Sequence, residues 1–390
     1  MLARPGFARK LHRRLAMLFA ALALAACEPI PMGGATGPRI GGGEPVQVAL
    51  LVPAGSPEGG AILARSLENA ARLAIADLQG VPIELRVYDT AGQAALAADA
   101  AQRAADAGAD IILGPVFAEA AAAAGVAVRD EGINVLSFSN NPAVAGGNVY
   151  VLGTSFRNTA DRLTRYAANQ GRGDIFIVSG QDAAEEIGRA AIARAIGSSG
   201  ARLAGQASFP LSQQGVADAA PRIADQVQAS GADAVFLTSG TSGALPLLAD
   251  LLPANGVLPA TTQYIGLQRL DIPSSALGLS GLQGAWFALP DPSVSSQFAA
   301  RYAARFGEQP HPIAGLAYDG IAAVGALVGR GDASLSGRAL TQGSGFAGTG
   351  GAFRLLPDGS SERALAVAEI RNNQVVIVDP APRSFGGAGF

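Results

Sequence analysis

Short apolar runs of β type alternate with helical patterns from residue 46 onward. In chain order the pattern predicts strand 46–52, helix 58–78, strand 83–88, helix 94–107 and strand 111–113. Along the first helix, Leu67, Ala71 and Ala74 recur at three- and four-residue spacing, so one helix face is expected to pack on a sheet. This repetition of strand, helix and strand predicts a parallel sheet.

The same alternation restarts after the polar segment 153–158. It predicts helices at 161–170, 185–196, 216–230, 245–252, 295–306 and 313–328, and strands at 174–179, 202–209, 232–238, 263–265, 282–288, 351–355, 364–370 and 375–378. Asn372 and Asn373 form the turn between the last two strands, which is typical of a hairpin. Two successive runs of βα units indicate an α/β protein with two doubly wound lobes and a cleft between them.

Polar turns follow two neighbouring strands of the first run. The strand 110–113 stops at Gly114-Pro115, and after the helix 118–129 the strand 132–137 ends in Ser139-Asn140-Asn141-Pro142. Parallel strands joined by a right-handed crossover have their carboxyl ends on one edge of the sheet, where ligands of open α/β sheets bind. We therefore expect the turns 114–118 and 137–141 to line a binding cleft.

Composition and charge exclude some classes of function. The chain has 390 residues, of which 49% are hydrophobic and 15% charged, so it can bury a large core. Its net charge is −3, and five basic residues without any acid in residues 1–26 leave −8 for the remainder. An acidic body argues against nucleic acid as a partner. Beyond Lys10 there is no lysine, which excludes a Schiff-base lysine there.

The N-terminus predicts export and lipid anchoring. Basic residues up to Arg14 precede an apolar run at 15–24, which is shorter than the roughly 20 residues that span a membrane. The run ends in Leu24-Ala25-Ala26-Cys27, which resembles the bacterial lipobox, and Cys27 is the only cysteine. The sequence thus predicts a lipoprotein signal peptide at 1–26, lipidation of Cys27, and a Pro/Gly tether at 27–45.

Few residues offer catalytic or metal chemistry. The one histidine after the signal peptide, His311, stands between two prolines and is expected in a surface loop. Residues 343–348 match a dinucleotide fingerprint, but they neither follow a predicted strand nor open a helix. A metal site needs several converging ligands, and the sequence has no His/Cys cluster. We therefore expect no catalytic residues, no metal and no cofactor.

The order of elements resembles a known family. The stretches ILGPVFAEAAAAAGVAVRDEGINVLSFSNNP, GDIFIVSGQDAAEEIGRA and GLQGAWFALPDPSVSSQFAARYAARFGEQPHPIAGLAYDGIAAVGAL are similar to type 1 periplasmic binding proteins of the leucine/isoleucine/valine-binding family. The resemblance implies two lobes joined by three chain crossings near 152–157, 282–290 and 337–345. It assigns 46–155 and 289–340 to lobe 1, 156–288 and 341–380 to lobe 2, and 381–390 to a tail.

The resemblance also implies which residues face the cleft. Ala118 stands where amino-acid binders have Ser, Ile187 replaces an aromatic residue, and Gln268 replaces the acid that pairs with the ligand's ammonium group. Because a neutral amide does not neutralise a buried cation, free leucine, isoleucine and valine are expected to bind poorly. The complete predicted set for a ligand or partner is Phe117, Ala118, Ser137, Ser139, Asn140, Asn141, Thr238, Ser239 and Gln268.

Two functional classes follow from these departures. The main expectation, from similarity to penicillin-binding-protein activator lipoproteins in the C-terminal run LSGRALTQGSGFAGTGGAFRLLPDGSSERALAVAEIRNNQVVIV, is a non-enzymatic partner of a peptidoglycan synthase. The alternative is a substrate-binding lipoprotein that delivers an amino acid or another small polar solute to an ABC permease. Either class implies a bacterial periplasmic protein that contacts the membrane only through its lipid, and Glu28 after the cysteine favours the outer membrane.

Overall fold

The computed structural model describes residues 44–57, 59–331 and 334–385. The predicted signal peptide, the lipidation site Cys27 and nearly all of the tether lie outside these residues, as does the end of the C-terminal tail. The described residues belong to one compact unit. Within them, no helix is long and apolar enough to cross a membrane.

In the described part of the chain, five parallel strands form a first sheet in the order β2-β1-β3-β4-β5. Strand β1 is buried at nearly every position because helices cover both faces of a parallel sheet. The helices Gly60–Asp77 and Ala94–Asp106 carry buried apolar stripes, as the spacing along the first of them predicts. The elements are β1 Val46–Val52, α1 Gly60–Asp77, β2 Ile83–Asp89, α2 Ala94–Asp106, β3 Ile111–Leu113, α3 Ala118–Ala127, β4 Asn134–Ser137 and β5 Val149–Val151.

A second sheet contains seven strands among the described residues, in the order β15-β14-β10-β9-β8-β6-β7, where β14 is Ala366–Arg371 and β15 is Gln374–Asp379. Strands β6 to β10 pair in parallel, whereas β14 runs antiparallel to β10. The elements are α4 Phe156–Asn169, β6 Asp174–Gly180, α5 Ala183–Ser199, β7 Arg202–Phe209, α6 Gln213–Ser230, β8 Ala234–Leu237, α7 Leu245–Ala254, β9 Gln263–Gly266 and β10 Trp286–Leu289.

The predicted C-terminal hairpin is confirmed. Strands β14 and β15 are antiparallel, and both asparagines of the turn have positive φ, at 51° for Asn372 and 62° for Asn373. Asparagine tolerates this left-handed region better than most residues do, which makes it suitable for a two-residue hairpin turn. The strands are β14 Ala366–Arg371 and β15 Gln374–Asp379.

The segment between β10 and β14 returns to the first sheet. It contains α8 Pro292–Phe306, α9 Gly315–Val328, α10 Gly337–Leu340, β11 Phe346–Gly348, β12 Gly351–Leu355 and β13 Ser361–Arg363. Strands β11 to β13 form a small antiparallel sheet. Phe346, Phe353 and Leu355 pack in the same core as the side chains of β1 and α9. Residues 346–355 therefore pack with lobe 1, although the sequence analysis placed 341–380 in lobe 2.

The chain passes between the two sheets at three places in its described part. The first passage, at 152–155 between β5 and α4, and the second, at 290–291 between β10 and α8, adjoin or overlap the predicted positions. The third follows β13, where Ala364 and Leu365 enter the cores of the second sheet. The resemblance implied this crossing near 337–345, and the observed passage comes later in the chain because Phe346, Phe353 and Leu355 pack in the core of the first sheet.

Candidate functional site

A cavity of about 630 Å³ opens where the carboxyl ends of β3 and β4 meet the chain passages and helices α8 and α9. We call it the cleft. Of the predicted site residues, Phe117, Ala118, Ser139, Asn140 and Asn141 line it. The expectation that the turns after β3 and β4 share one edge is thus met by the parallel pairing of these strands.

Ser137 supports the cleft from behind its surface. Its side chain is fully buried, and its Oγ donates to the carbonyl of Pro115 (3.0 Å) and accepts from the N–H of Ser139 (3.1 Å). Ser139 Oγ in turn accepts from the N–H of Asn141 at 3.1 Å. These bonds connect the two turns, so Ser137 shapes the site and has no surface for a ligand.

Gly153 allows two segments of the cleft wall to approach each other. A Cβ at this position would lie 2.4 Å from the carbonyl oxygen of Ser139 and 2.9 Å from the backbone nitrogen of Asn140. The N–H of Gly153 donates to the same Ser139 carbonyl at 3.1 Å. Since no larger residue fits here without displacing backbone, Gly153 holds the Ser139-Asn140 turn in place.

Helix α3 begins at the cleft wall. Ala118 is its first residue, and no side chain of the described residues caps the helix at Phe117. The first backbone N–H groups of a helix have no partner within the helix, and they attract groups that accept hydrogen bonds. Phe117 is exposed at the cleft rim, and the Asn140 side chain is exposed without a hydrogen bond to the described residues. This wall therefore offers donors beside an aromatic surface.

The predicted residues of the second lobe do not line the cleft. The Thr238 hydroxyl donates to Glu185 Oε2 at 2.6 Å, and the Ser239 hydroxyl donates to Oε1 and Oε2 at 2.6 and 2.8 Å. The N–H of Gly180 adds a bond of 2.5 Å to the same carboxylate, and Gln268 Nε2 donates to the Thr238 carbonyl at 3.0 Å. This Glu185 network joins the ends of β6, β8 and β9 to helix α5.

The cleft contains a buried ion pair that the sequence analysis missed. Asp319 on α9 is fully buried, and its Oδ2 lies 2.9 Å from Nη1 of Arg363, which ends β13. Asp319 Oδ1 also accepts from the N–H (2.7 Å) and the hydroxyl (3.0 Å) of Thr349. Arg363 Nε donates to the carbonyl of Leu152 at 2.7 Å. The pair thus joins the first and third chain passages to α9.

Asp319 had a signal in the sequence, whereas Arg363 had none. Within residues 315–328 Asp319 is the one charged side chain, and a charge in an apolar helix needs a buried partner. Arg363 follows it by 44 residues in a polar segment that resembles many exposed turns. Only the fold brings these two charges together.

His311 lines the cleft and is partly buried, in contrast to the expected surface loop. Its backbone N–H donates to Ser66 Oγ at 2.8 Å, and its Nδ1 accepts from the N–H of Ile313 at 3.4 Å. Burial lowers the pKa of the imidazole below its ordinary value, so the neutral ring is favoured. A neutral ring with Nδ1 as acceptor suits this contact.

Apolar side chains make up much of the remaining lining. Phe138, Phe298 and Leu316 contribute from the end of β4 and from helices α8 and α9. Apolar walls with a few polar groups are the usual character of small-molecule sites. The described residues include no group of three or more His, Cys, Asp and Glu placed to hold a metal ion. The arrangement can therefore hold a small organic molecule with acceptor atoms.

A second cavity of about 640 Å³ lies at the carboxyl ends of β6 and β7. Its lining includes Arg189, which pairs with Glu186 and donates from Nη1 to Gln206 Oε1 at 2.9 Å. Gln181 Nε2 donates to Ser208 Oγ at 3.1 Å. These side chains bind one another, so they offer fewer free donors than the cleft does.

Comparisons with known proteins agree with this fold. A branched chain amino acid ABC transporter periplasmic ligand-binding protein from Burkholderia xenovorans has 21% identity and a TM-score of 0.67, covering 88% of this chain and 97% of its own. An ABC transporter substrate-binding protein from Desulfitobacterium hafniense, in complex with Leu, has 18% identity and a TM-score of 0.62 over 86% of this chain and 100% of its own.

A third structure binds a different ligand. It is a solute binding protein of an ABC transporter from Rhodopseudomonas palustris in complex with 3,4-dihydroxy benzoic acid, with 17% identity and a TM-score of 0.59 over 88% of this chain and 98% of its own. No curated protein matches the chain. The periplasmic binding protein family model matches residues 45–374, and the chain belongs to this family.

Proposed function

We propose that the protein is the solute-binding component of an ABC importer and that its solute binds in the cleft. The observation that carries this proposal is the cavity itself, in which donors from the turns after β3 and β4 face apolar side chains of α8 and α9. The similar structures from Burkholderia, Desulfitobacterium and Rhodopseudomonas are ABC transporter binding proteins, which supports the same function. Its partner is then an ABC permease, and the protein itself has no catalytic role.

A thermal-shift panel with the purified full chain tests this function. A ligand that binds only the folded state raises its stability by about 2.7 kcal/mol at a concentration of 100 Kd, which is readily measured. We expect at least one class among amino acids, organic acids, aromatic acids and neutral polar solutes to raise the melting temperature. If no class of solute changes it, the importer function is refuted.

Activation of a peptidoglycan synthase is the second candidate. Thr238 and Ser239 donate to Glu185 and are not available to a ligand, which favours this candidate. Exposed apolar side chains in the second lobe, such as Ile187 and Ile272, could contact a protein partner. Titration of the purified protein with a purified synthase distinguishes the two functions. The activator function requires saturable binding that is weakened by Ile187→Asp and Ile272→Asp and unaffected by Asn140→Ala.

Lipid anchoring at Cys27 is part of either function. Family membership implies a periplasmic location, and an acylated Cys27 would tether the protein to a membrane, with the outer membrane favoured. We expect Cys27→Ala to leave the protein soluble or unprocessed, whereas the wild-type chain pellets with membranes and incorporates labelled fatty acid. A variant that is still acylated and pelleted would contradict the anchor.

A further inference from the structure

The cleft has no acid left for a ligand's cation. Among the described residues that line it, Asp319 is the only acid, and it is fully buried. Its two oxygens accept from the Thr349 N–H, the Thr349 hydroxyl and Arg363 Nη1, at 2.7, 3.0 and 2.9 Å. An ammonium group that enters a closed site needs a carboxylate to replace its water shell. The charge of Asp319 is already neutralised by Arg363, so it does not offset a second cation.

Acids near the end of the second sheet are engaged in the same way. Glu185 accepts from Thr238, Ser239 and Gly180, and Asp182 accepts from the N–H of Glu185 at 2.8 Å. Asp271, which could have substituted for the missing acid at Gln268, binds Arg269 through both oxygens at 2.6 and 2.5 Å. Closure of the second sheet's edge over the ligand would therefore bring no free carboxylate from Glu185 or Asp271, and Asp182 is held at the N-terminus of α5 as its cap.

One buried donor beside the cleft, in contrast, has no hydrogen-bond acceptor among the described residues. The Arg363 side chain is only 8% exposed and forms part of the cleft lining. Its Nε and Nη1 are held by the Leu152 carbonyl and by Asp319, while Nη2 is buried without a hydrogen-bond partner among the described residues. The guanidinium also lies over the Phe353 ring, with Cζ 5.0 Å from the ring centroid, so Arg363 keeps one donor that no oxygen of the described residues accepts.

We infer that the cleft takes a carboxylic acid that carries no amino group, and that the Arg363 guanidinium binds its carboxylate. The inference rests on the proposed function and specifies its solute. A guanidinium holds carboxylate oxygens at a defined angle and remains charged at every physiological pH, so it suits this task. The N-terminal amides of α3, which lie in the same cavity wall, add a partial positive charge that offsets Asp319.

Calorimetry with the full chain and matched pairs of probes tests the solute class. The pairs are 4-methylpentanoate against leucine and 3-phenylpropanoate against phenylalanine, which differ within each pair by the amino group. We expect at least one acid to bind more than tenfold tighter than its amino acid. Tighter binding of the amino acid overturns the inference and leaves the importer function intact. Binding of no probe also overturns it, and the wider solute panel then decides the importer function separately.

Arginine variants test the role of Arg363. The double variant Arg363→Gln with Asp319→Asn removes both charges, so neither remains buried alone, and we expect it to lose more than tenfold in affinity for the acid. The matched control is Arg162→Gln with Asp379→Asn. Arg162 is 10% exposed, donates from Nε to the Leu365 carbonyl at 2.7 Å, and pairs with Asp379 at 2.8 Å outside the cleft.

The role of Arg363 is overturned if the double variant at Arg363 and Asp319 binds the acid as tightly as the wild type. It is also overturned if the control variant at Arg162 and Asp379 loses as much affinity. Circular dichroism and thermal melts identify a variant that fails to fold. In that case Arg363→Lys with Asp319 intact replaces it. A lysine retains the charge but cannot reach Leu152, Asp319 and a carboxylate together, so affinity for the acid is expected to fall at least fivefold. The comparison of acids with amino acids needs only the wild-type chain.

Discussion

The edges of the two sheets carry similar polar turns but use them differently. After β4 of the first sheet, Ser139 and Asn140 line the cleft, and the Asn140 side chain has no hydrogen bond to the described residues. After β8 of the second sheet, Thr238 and Ser239 donate to the buried Glu185. The difference is Glu185, which accepts hydrogen bonds from both hydroxyls at the edge of the second sheet. No acid among the described residues accepts a hydrogen bond from Asn140.

This contrast shows that a polar turn after a parallel strand is a necessary but insufficient sign of a ligand site. Both turns lie at the carboxyl ends of strands, where ligands of α/β proteins bind. What decides their use is whether the protein itself satisfies the donors. A buried acid beside the turn fixes the hydroxyls, whereas a turn supported from behind, as Ser137 supports Ser139, leaves donors for a ligand.

Removal of Glu185 is expected to have the largest effect. Glu185→Ala leaves the Thr238 and Ser239 hydroxyls and the Gly180 N–H buried without their acceptor, so unfolding free energy should fall by about 3–4 kcal/mol in urea denaturation. The neighbouring Glu186, 58% exposed and paired with Arg189, is the control. Glu186→Ala should cost less than about 1 kcal/mol. Equal losses would show that the Glu185 network has no special role.

Gly153→Ala tests the opposite edge. Its Cβ would meet the Ser139 carbonyl oxygen at 2.4 Å, so the turn that carries Asn140 must shift. We expect about 2 kcal/mol of destabilisation and more than a tenfold loss of ligand affinity. Gly197→Ala within α5 is the control, because nothing lies within 4 Å of its Cβ and alanine favours a helix. Full affinity in Gly153→Ala would show that this turn does not hold the ligand.

A pair of smaller substitutions separates the two edges directly. Asn140→Ala removes an exposed amide, so it should reduce affinity by about 1 kcal/mol, five- to tenfold, with little change in stability. Ser239→Ala should reduce stability by about 1–3 kcal/mol through the loss of its bonds to Glu185, and leave affinity nearly unchanged. The reverse result, with affinity lost in Ser239→Ala, would restore Thr238 and Ser239 as ligand contacts.

Most of the fold could be predicted from the sequence because periodicity reports local burial. The apolar run of β1, the stripe along α1 and the Asn372-Asn373 hairpin turn are all local signals, and each is confirmed. The third chain passage could not be located from the sequence. The pattern around Phe353 and Leu355 predicts a strand with one buried face, but it does not show which of the two cores buries that face.

Only part of the candidate site could be predicted from the sequence in this way. Ser139, Asn140 and Asn141 were found because strand ends can be located from the sequence. The engagement of Ser239 by Glu185, which is 54 residues away, and of Asp319 by Arg363, which is 44 away, depends on tertiary packing alone. Residue spacing in the sequence therefore does not show whether a polar side chain is free or already hydrogen-bonded within the protein.

The smallest expected effect concerns pH and His311. Burial lowers the pKa of the folded imidazole below the ordinary value of 6.5, so the unfolded chain takes up a proton before the folded chain does. Stability from this group is complete above pH 6.5 and declines as the pH falls toward the lower folded pKa, with a slope of at most about 1.4 kcal/mol per pH unit. In His311→Asn the amide oxygen can still accept from the Ile313 N–H but does not titrate, so the difference in unfolding free energy between wild type and variant isolates His311. Urea denaturation of both proteins from pH 7.5 to 5 should show the wild type losing stability faster. Parallel curves would mean that the imidazole titrates alike in the folded and unfolded chains and that its cleft position does not disfavour the charge.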